Sequence, residues 1–373
     1  MKTNTEMPGG IWAEEQRVDI KKIIKNAVFS QKAYPVEERA CRVKLDANEN
    51  PYPLPHALRH VISERLESVS LNRYPAPGSP GLRTDFARYY GVDEDMILIG
   101  NGSDELIHIL LTAVDPRLSD SVMFPTPTFA MYGIIALNSG HDIIEVPLND
   151  RLELDTDAML DIISDKKPAI IFLSYPNNPT GRCFDRRDIE RILEASSGLV
   201  VLDEAYFNFS GKTFLRDLDR WDNLVILRTL SKVGLAALRL GILIGHPSLV
   251  HHLNKVRLPY NVNIFSQVVG SLFVEHSEDF LELTDRIVSS RKWLFDELMA
   301  IEGINPYPSD ANFILFSCFM EKDDVYAQLI ERGVLVKNFA SPDILKNCMR
   351  VTVGTETENR EFIESLKIVM QGE

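Results

Sequence analysis

The chain is poor in the features that would commit it to secretion, a membrane or nucleic acid. Only four of its 373 residues are cysteine, at Cys41, Cys183, Cys318 and Cys348, widely spaced and without a CxxC pair. Neither a disulfide framework nor a zinc site is expected, and free cytosolic thiols remain. The eight histidines include the adjacent His251 and His252 but no HExxH arrangement, so no metal is expected. No apolar run reaches the ~18 residues of a membrane span, and the opening MKTNTEMPGG lacks the apolar stretch of a signal peptide. A cytoplasmic protein is expected. Positive charge is also short: 40 Lys and Arg against 54 Asp and Glu leave a net charge of −14. Binding to nucleic acid or an anionic membrane needs clustered cations, so neither is expected as a partner. A site for a small anion must then gather its positive charge locally, which draws attention to Arg239, Arg350 and Lys337.

What remains is a folded composition, 45% hydrophobic and 25% charged, long enough for one large domain and one smaller. Short apolar, β-branched runs at 96–100, 121–125, 142–147, 169–174, 199–203, 224–228 and 240–245 read as seven strands. Runs this apolar suit strands covered on both faces, and most intervening segments are long enough for crossovers. The fold class expected is α/β, a mainly parallel seven-stranded sheet between helices. One crossover is 103–114, where Leu106, Ile107, Ile109, Leu110, Ala113 and Val114 recur at helical spacing after the Gly100-Asn101-Gly102 break. Beyond Pro259 the pattern changes to a helical stretch at 266–301, strands at 311–317, 335–338 and 349–353, a helix at 323–332 and a final helix. That predicts an arm over 1–45, a large domain over 46–258 and a small α+β domain over 259–373. Pro51, Pro53 and Pro55 keep the segment entering the large domain extended.

Four motifs follow predicted strands. Thr229-Leu230-Ser231-Lys232 puts a lysine beside two hydroxyls at a strand end; a desolvated lysine attacks carbonyls and forms Schiff bases, although a solvated surface lysine reads the same way. In Val200-Val201-Leu202-Asp203-Glu204-Ala205-Tyr206 an acid ends a buried strand. It either caps the next segment or pairs with a cation such as a pyridinium nitrogen, with Tyr206 three residues on. Tyr175-Pro176-Asn177-Asn178-Pro179-Thr180-Gly181 is a turn that aims the Asn178 amide. Gly100-Asn101-Gly102-Ser103-Asp104 opens a helix whose N–H groups suit a phosphate, but it is neither a GxGxxG nor a Walker motif. Each is weak alone. Together they occupy the carboxyl ends of strands in one sheet, where open α/β sheets build their ligand crevice.

With these motifs in this order, the chain resembles the class I/II aminotransferases of fold-type I pyridoxal-phosphate enzymes over nearly its whole length. Leu45-Asp46-Ala47-Asn48-Glu49-Asn50-Pro51-Tyr52, Asn72-Arg73-Tyr74-Pro75 and Met349-Arg350-Val351-Thr352-Val353-Gly354-Thr355 narrow the resemblance to the histidinol-phosphate aminotransferase family. The resemblance implies pyridoxal 5'-phosphate joined to Lys232, Asp203 on the pyridinium nitrogen, Asn178 and Tyr206 on the ring hydroxyl, and Phe129 stacked on the ring. It implies phosphate contacts from backbone groups of Ser103 and Asp104, from Thr229, Ser231 and Arg239, and from Tyr74 of a second subunit in a homodimer with shared active sites. Arg350, Tyr52, Asn178 and Lys337 are implied to meet the substrate. Three departures stand out. Arg239 follows Lys232 by seven residues where many relatives have one more, Lys337 stands where arginine is frequent, and Phe129 replaces a tyrosine.

The reaction so implied is transamination between histidinol phosphate and 2-oxoglutarate, with imidazole-acetol phosphate and glutamate on the other side. Lys232 then serves as general base at the substrate Cα. Threonine-phosphate decarboxylation and aromatic amino acid transamination use the same scaffold and stay open. A cofactor-binding regulator is disfavoured because no helix-turn-helix domain is attached.

Overall fold

The computed structural model describes residues 19–31, 39–115, 117, 121–339 and 343–372. The expected arm at 1–45 falls largely outside the described residues. Residues up to Glu38 form a unit of their own, within which a short turn at Ile20–Lys22 and a helix at Asn26–Ser30 are described.

From Arg39 onward the chain forms one compact unit holding two sheets. Twelve strands are described: β1 Val43–Leu45, β2 Ile97–Asn101, β3 Ser121–Thr126, β4 Asp142–Pro147, β5 Ile170–Ser174, β6 Leu199–Asp203, β7 Leu224–Thr229, β8 Leu240–Gly245, β9 Ile304–Pro306, β10 Phe313–Cys318, β11 Val334–Asn338 and β12 Cys348–Thr352. The larger sheet runs β2-β8-β7-β6-β5-β3-β4. It contains all seven strands expected between 96 and 245 and is parallel from β7 through to β4. Strand β8 runs against both neighbours. The reason is local: a parallel return needs a crossover of about a dozen residues or more, whereas β7 and β8 are joined only by residues 230–239, two tight helical turns that carry Lys232.

Side chains alternate across this sheet into two cores. Val200, Leu202, Leu224 and Ile226 join one core with the helices Pro80–Tyr90, Thr156–Lys166 and Arg186–Ala195. Phe172, Val201, Val225 and Leu227 join the other with Ser103–Ala113, Met131–Ser139 and Pro247–Val256. The result is the expected helix–sheet–helix sandwich.

The smaller sheet, β1-β11-β12-β10-β9, has its own core with the helices Ser277–Met299, Lys322–Glu331 and Glu356–Gln371. Two contacts cut across the divisions expected at residues 45 and 259. Strand β1 pairs in parallel with β11, and the helix Ile264–Glu275 packs on His56–Glu67 and Pro80–Tyr90 beside the larger sheet. The helical stretch expected at 266–301 is two helices, broken at His276, whose φ of −120° and ψ of 31° are not helical. The second helix serves both cores: Phe280, like Phe273 before the break, belongs to the larger sheet's core, while Ile287, Leu294 and Leu298 belong to the smaller one's. No helix among the described residues is long and apolar enough to cross a membrane.

Candidate active site

The site is built at the carboxyl ends of β5, β6 and β7 and the start of the helix Ser103–Ala113. That helix begins at Gly102 without any side-chain cap, so its first N–H groups point outward with the positive end of the helix dipole. Gly102 has φ of 84°, and a Cβ there would lie 2.8 Å from the Arg239 guanidinium. A Cβ at Gly241 would meet the Gly102 backbone at 2.4 Å. The two glycines therefore let β8 and the helix start close around one spot. Into it converge Arg239, which donates to Ser231 Oγ at 3.3 Å and to Asp104 Oδ2 at 3.1 Å, and Thr229, whose hydroxyl donates to Ser231 Oγ at 2.9 Å. The seven-residue spacing thus still delivers Arg239 to Ser231, through Gly234 at φ 105° and a left-handed Arg239 at φ 52°. Backbone outliers of this kind concentrate at functional sites.

Next to this cup stands Lys232, half-buried, its Nζ 5.7 Å from the centre of the Tyr206 ring. Asp203 ends β6 with 4% exposure. Its Oδ1 accepts from the Ala205 N–H at 3.1 Å and its Oδ2 from the Tyr132 hydroxyl at 2.7 Å. Burial pushes the carboxyl up to about 6, against the opposing pull of Tyr132, Ala205 and Lys232; Asp104 pushes the same way as burial. Burial and the adjoining carboxylate hold the Tyr132 phenol well above its usual range, so it stays a donor. Phe129 meets Tyr132 edge-on at 5.5 Å.

On the other side, Asn48 sits in the left-handed region at φ 55°, which asparagine tolerates better than most residues. Its amide donates to Tyr206 Oη at 2.9 Å and its backbone N–H to Thr352 Oγ1 at 2.9 Å, while Asn312 donates to its carbonyl at 3.0 Å. Arg350, on β12 and 6% exposed, donates to the Asp46 carbonyl at 2.7 Å and to the Asn178 amide oxygen. The smaller sheet and the 46–50 segment thereby reach Asn178, just beyond the end of β5 in the larger sheet.

Direct contacts link Asp104, Arg239, Ser231 and Thr229 in one group, Lys232 and Tyr206 in a second, Asp203 and Phe129 through Tyr132 in a third, and Arg350 and Asn178 in a fourth. Ser103 sits at the helix start. Lys337 lies opposite Arg350 in the β11–β12 register. Tyr52 is turned toward the long helix, with Arg286 3.9 Å from its ring centre, and borders a 780 Å³ cavity also lined by Trp293 and Arg360. Tyr74 stands apart, 80% exposed and stacked on Tyr260 at 4.5 Å. Sequence reasoning missed Tyr132, Asn312 and the bridging role of Asn48. Asn48 lay inside a quoted motif; Tyr132 lay three residues past Phe129 with nothing polar around it to mark it.

A cup of hydroxyls and a guanidinium at a helix start suits a small anion, and beside it stand an amine, an aromatic face and a buried carboxylate without a cationic hydrogen-bond partner among the described residues. Fold and site together define the α/β sandwich of an enzyme working at strand carboxyl ends. The model of the family "Aminotransferase class I and II" matches residues 42–366. Histidinol-phosphate aminotransferase 2 from Nitrosococcus oceani is 45% identical over 90% of this chain and 94% of its own length. The histidinol-phosphate aminotransferase from Aquifex aeolicus is 40% identical over 92% and 97%. A crystal structure of histidinol-phosphate aminotransferase from Sinorhizobium meliloti with pyridoxal-5'-phosphate superposes with a TM-score of 0.83 at 20% identity, covering 94% of this chain and 98% of that one. The chain belongs to the class I and II aminotransferases.

Proposed function

We propose that this enzyme transfers the amino group between histidinol phosphate and 2-oxoglutarate, using pyridoxal 5'-phosphate, in the cytoplasm. The observation that carries the cofactor part is Asp203: a buried carboxylate at the end of β6 with a neutral donor on each oxygen, which suits a cationic ring nitrogen. The substrate part is supported by the relatives' names and by Arg350, whose fork suits an anionic group on the substrate.

In this reading the backbone N–H groups of Ser103 and Asp104, with Thr229, Ser231 and Arg239, hold the phosphate, Asp203 holds the ring nitrogen protonated, Asn178 and Tyr206 meet the ring hydroxyl, and Phe129 covers the ring. When bound, the cofactor supplies an electron sink conjugated to the substrate Cα. Lys232 Nζ takes the Cα proton and returns it, as general base and then acid. Tyr206, fixed by the Asn48 amide, orients the reacting end. Arg350, Tyr52, Asn178 and Lys337 select the substrate.

A homodimer with shared sites fits the exposed apolar side chains Leu71, Tyr74, Leu258, Tyr260 and Phe265, two of which already stack on one another. Tyr74 of one subunit would complete the phosphate cup of the other. The division into an arm at 1–45, a large domain at 46–258 and a small domain at 259–373 belongs to the same proposal.

The test is glutamate formation from histidinol phosphate and 2-oxoglutarate beside a panel of aromatic amino acids. Turnover of histidinol phosphate well above that of Phe and Tyr is expected. Turnover of Phe or Tyr alone, or carbon dioxide release from threonine phosphate, would replace the substrate assignment.

A further inference from the structure

We propose that Tyr132 is a positioning residue for this reaction: its phenol keeps the Asp203 carboxylate ionised and turned toward the cofactor nitrogen. The inference rests on the reading in which pyridoxal phosphate binds here. Asp203 has one donor on each oxygen, the Ala205 N–H at 3.1 Å and the Tyr132 hydroxyl at 2.7 Å. Of the two, the phenol is the shorter and comes from another element, the helix Met131–Ser139. Tyr132 has no exposed surface. Its ring lies flat on Phe172, centroids 4.8 Å apart and planes 4° apart, and meets Phe129 edge-on at 5.5 Å. The hydroxyl is therefore held in place by two aromatic rings packed on its own. A phenylalanine would fill the same space, and the polar atom is what couples this helix to Asp203.

The groups that bear on the Asp203 charge are few. Lys232, from the turn after β7, favours the ionised form, and Asp104, from the helix Ser103–Ala113, opposes it. Tyr206 and the Ser174 hydroxyl face the phenol instead. Among these, a hydrogen bond given to the ionised form is a direct means of keeping a buried carboxylate charged.

Tyr132→Phe keeps the ring stack and removes the donor. Losing a hydrogen bond to a charged group should raise the pH at which Asp203 ionises by about one to two units, a change of about ten- to a hundredfold. The measurement is the pyridoxal phosphate dissociation constant of the cofactor-free wild type and variant from pH 5.5 to 9. The variant-to-wild-type ratio is expected near one at pH 9, where both carboxylates are ionised, and about ten- to a hundredfold at the acid end. In an Asp203→Asn background the same change should leave a ratio independent of pH. A fluorotyrosine at position 132, a stronger donor of nearly the same size, should move the acid limb the other way, which keeps the test open if Tyr132→Phe does not fold. A ratio that is the same at every pH, or an acid limb unmoved by fluorination, overturns the inference, because a packing defect carries no proton linkage. Wild type that binds no pyridoxal phosphate at any pH overturns the cofactor reading itself, and this inference with it.

Discussion

Asp203→Asn should make the cofactor-free protein more stable at neutral pH while weakening its hold on the cofactor. The carboxyl is buried, and burial raises its value from 3.8 to about 6. A folded value above the unfolded one means that the native state binds the proton more tightly. The native state is thus penalised as the group ionises, and stability falls as pH rises from about 4 to about 6, then stays low. Two units correspond to about 3 kcal/mol at neutral pH, of which about half develops between pH 5 and pH 7.5. Asparagine carries no charge to bury, and its amide oxygen can still accept from Tyr132. Urea unfolding of the two cofactor-free proteins should therefore show the variant gaining about 1–2 kcal/mol more over wild type at pH 7.5 than at pH 5. With the pyridinium–carboxylate pair lost, the pyridoxal phosphate dissociation constant should rise about a hundredfold or more. Equal gaps at both pH values, or a variant less stable than wild type at pH 7.5, would refute the assignment of Asp203 as a charge held at a cost to the fold.

Lys232→Ala should still take up the cofactor but transaminate at least about a thousandfold more slowly, as expected for loss of a general base; single-turnover spectroscopy checks it, and near-normal steady-state rates would reject it. Arg350→Ala should raise KM for the phosphorylated substrate about ten- to a hundredfold and leave the absorbance of the bound cofactor unchanged. Loss of bound cofactor instead would mean the residue was misassigned. Arg228→Met, which strips the buried Glu204 of its cation, should cost about 3–5 kcal/mol in urea unfolding, and adding Glu204→Gln should recover a large part of it.

Much of the larger sheet could be read from the sequence because strands covered on both faces are written as unbroken apolar runs. The expected strand at 199–203 matches β6 to the residue, and that at 96–100 is displaced by one from β2. Strand β1 could not be read: three residues, Val43–Leu45, become a strand only through pairing with β11 some 290 positions later. The helix His56–Glu67 was also hidden, since Leu58 is its single fully buried residue and its apolar stripe is faint. The site residues at strand ends were marked by their type against an apolar background, as with Lys232 after β7. Tyr132 lacked that contrast, in a helix apolar on several sides.

The clearest case of structure deciding what the sequence left open is the pair Asp203-Glu204. Both are acids at the end of β6 and both are buried, 4% and 1% exposed. Strand alternation sends them to opposite faces. Glu204 turns to the face of Leu202 and Ile226, where Arg228 donates to it at 2.8 Å with Thr213 and the Phe214 N–H, and the Arg228 guanidinium is itself sandwiched by Tyr90 and Phe207. Its charge is neutralised inside the fold, so it acts on stability alone. Asp203 turns to the face of Phe172 and Val201, where its hydrogen bonds come from one phenol and one backbone N–H, both neutral. A buried carboxylate without a cationic hydrogen-bond partner among the described residues is costly until something positive arrives, and the strand that bears it lies beside the one that leads to Lys232. The same dipeptide thus supplies one buried ion pair and, in the proposed function, one charge for the cofactor, and the two should separate in experiment: changes at Glu204 move the unfolding midpoint, and changes at Asp203 move cofactor binding in the opposite sense to stability.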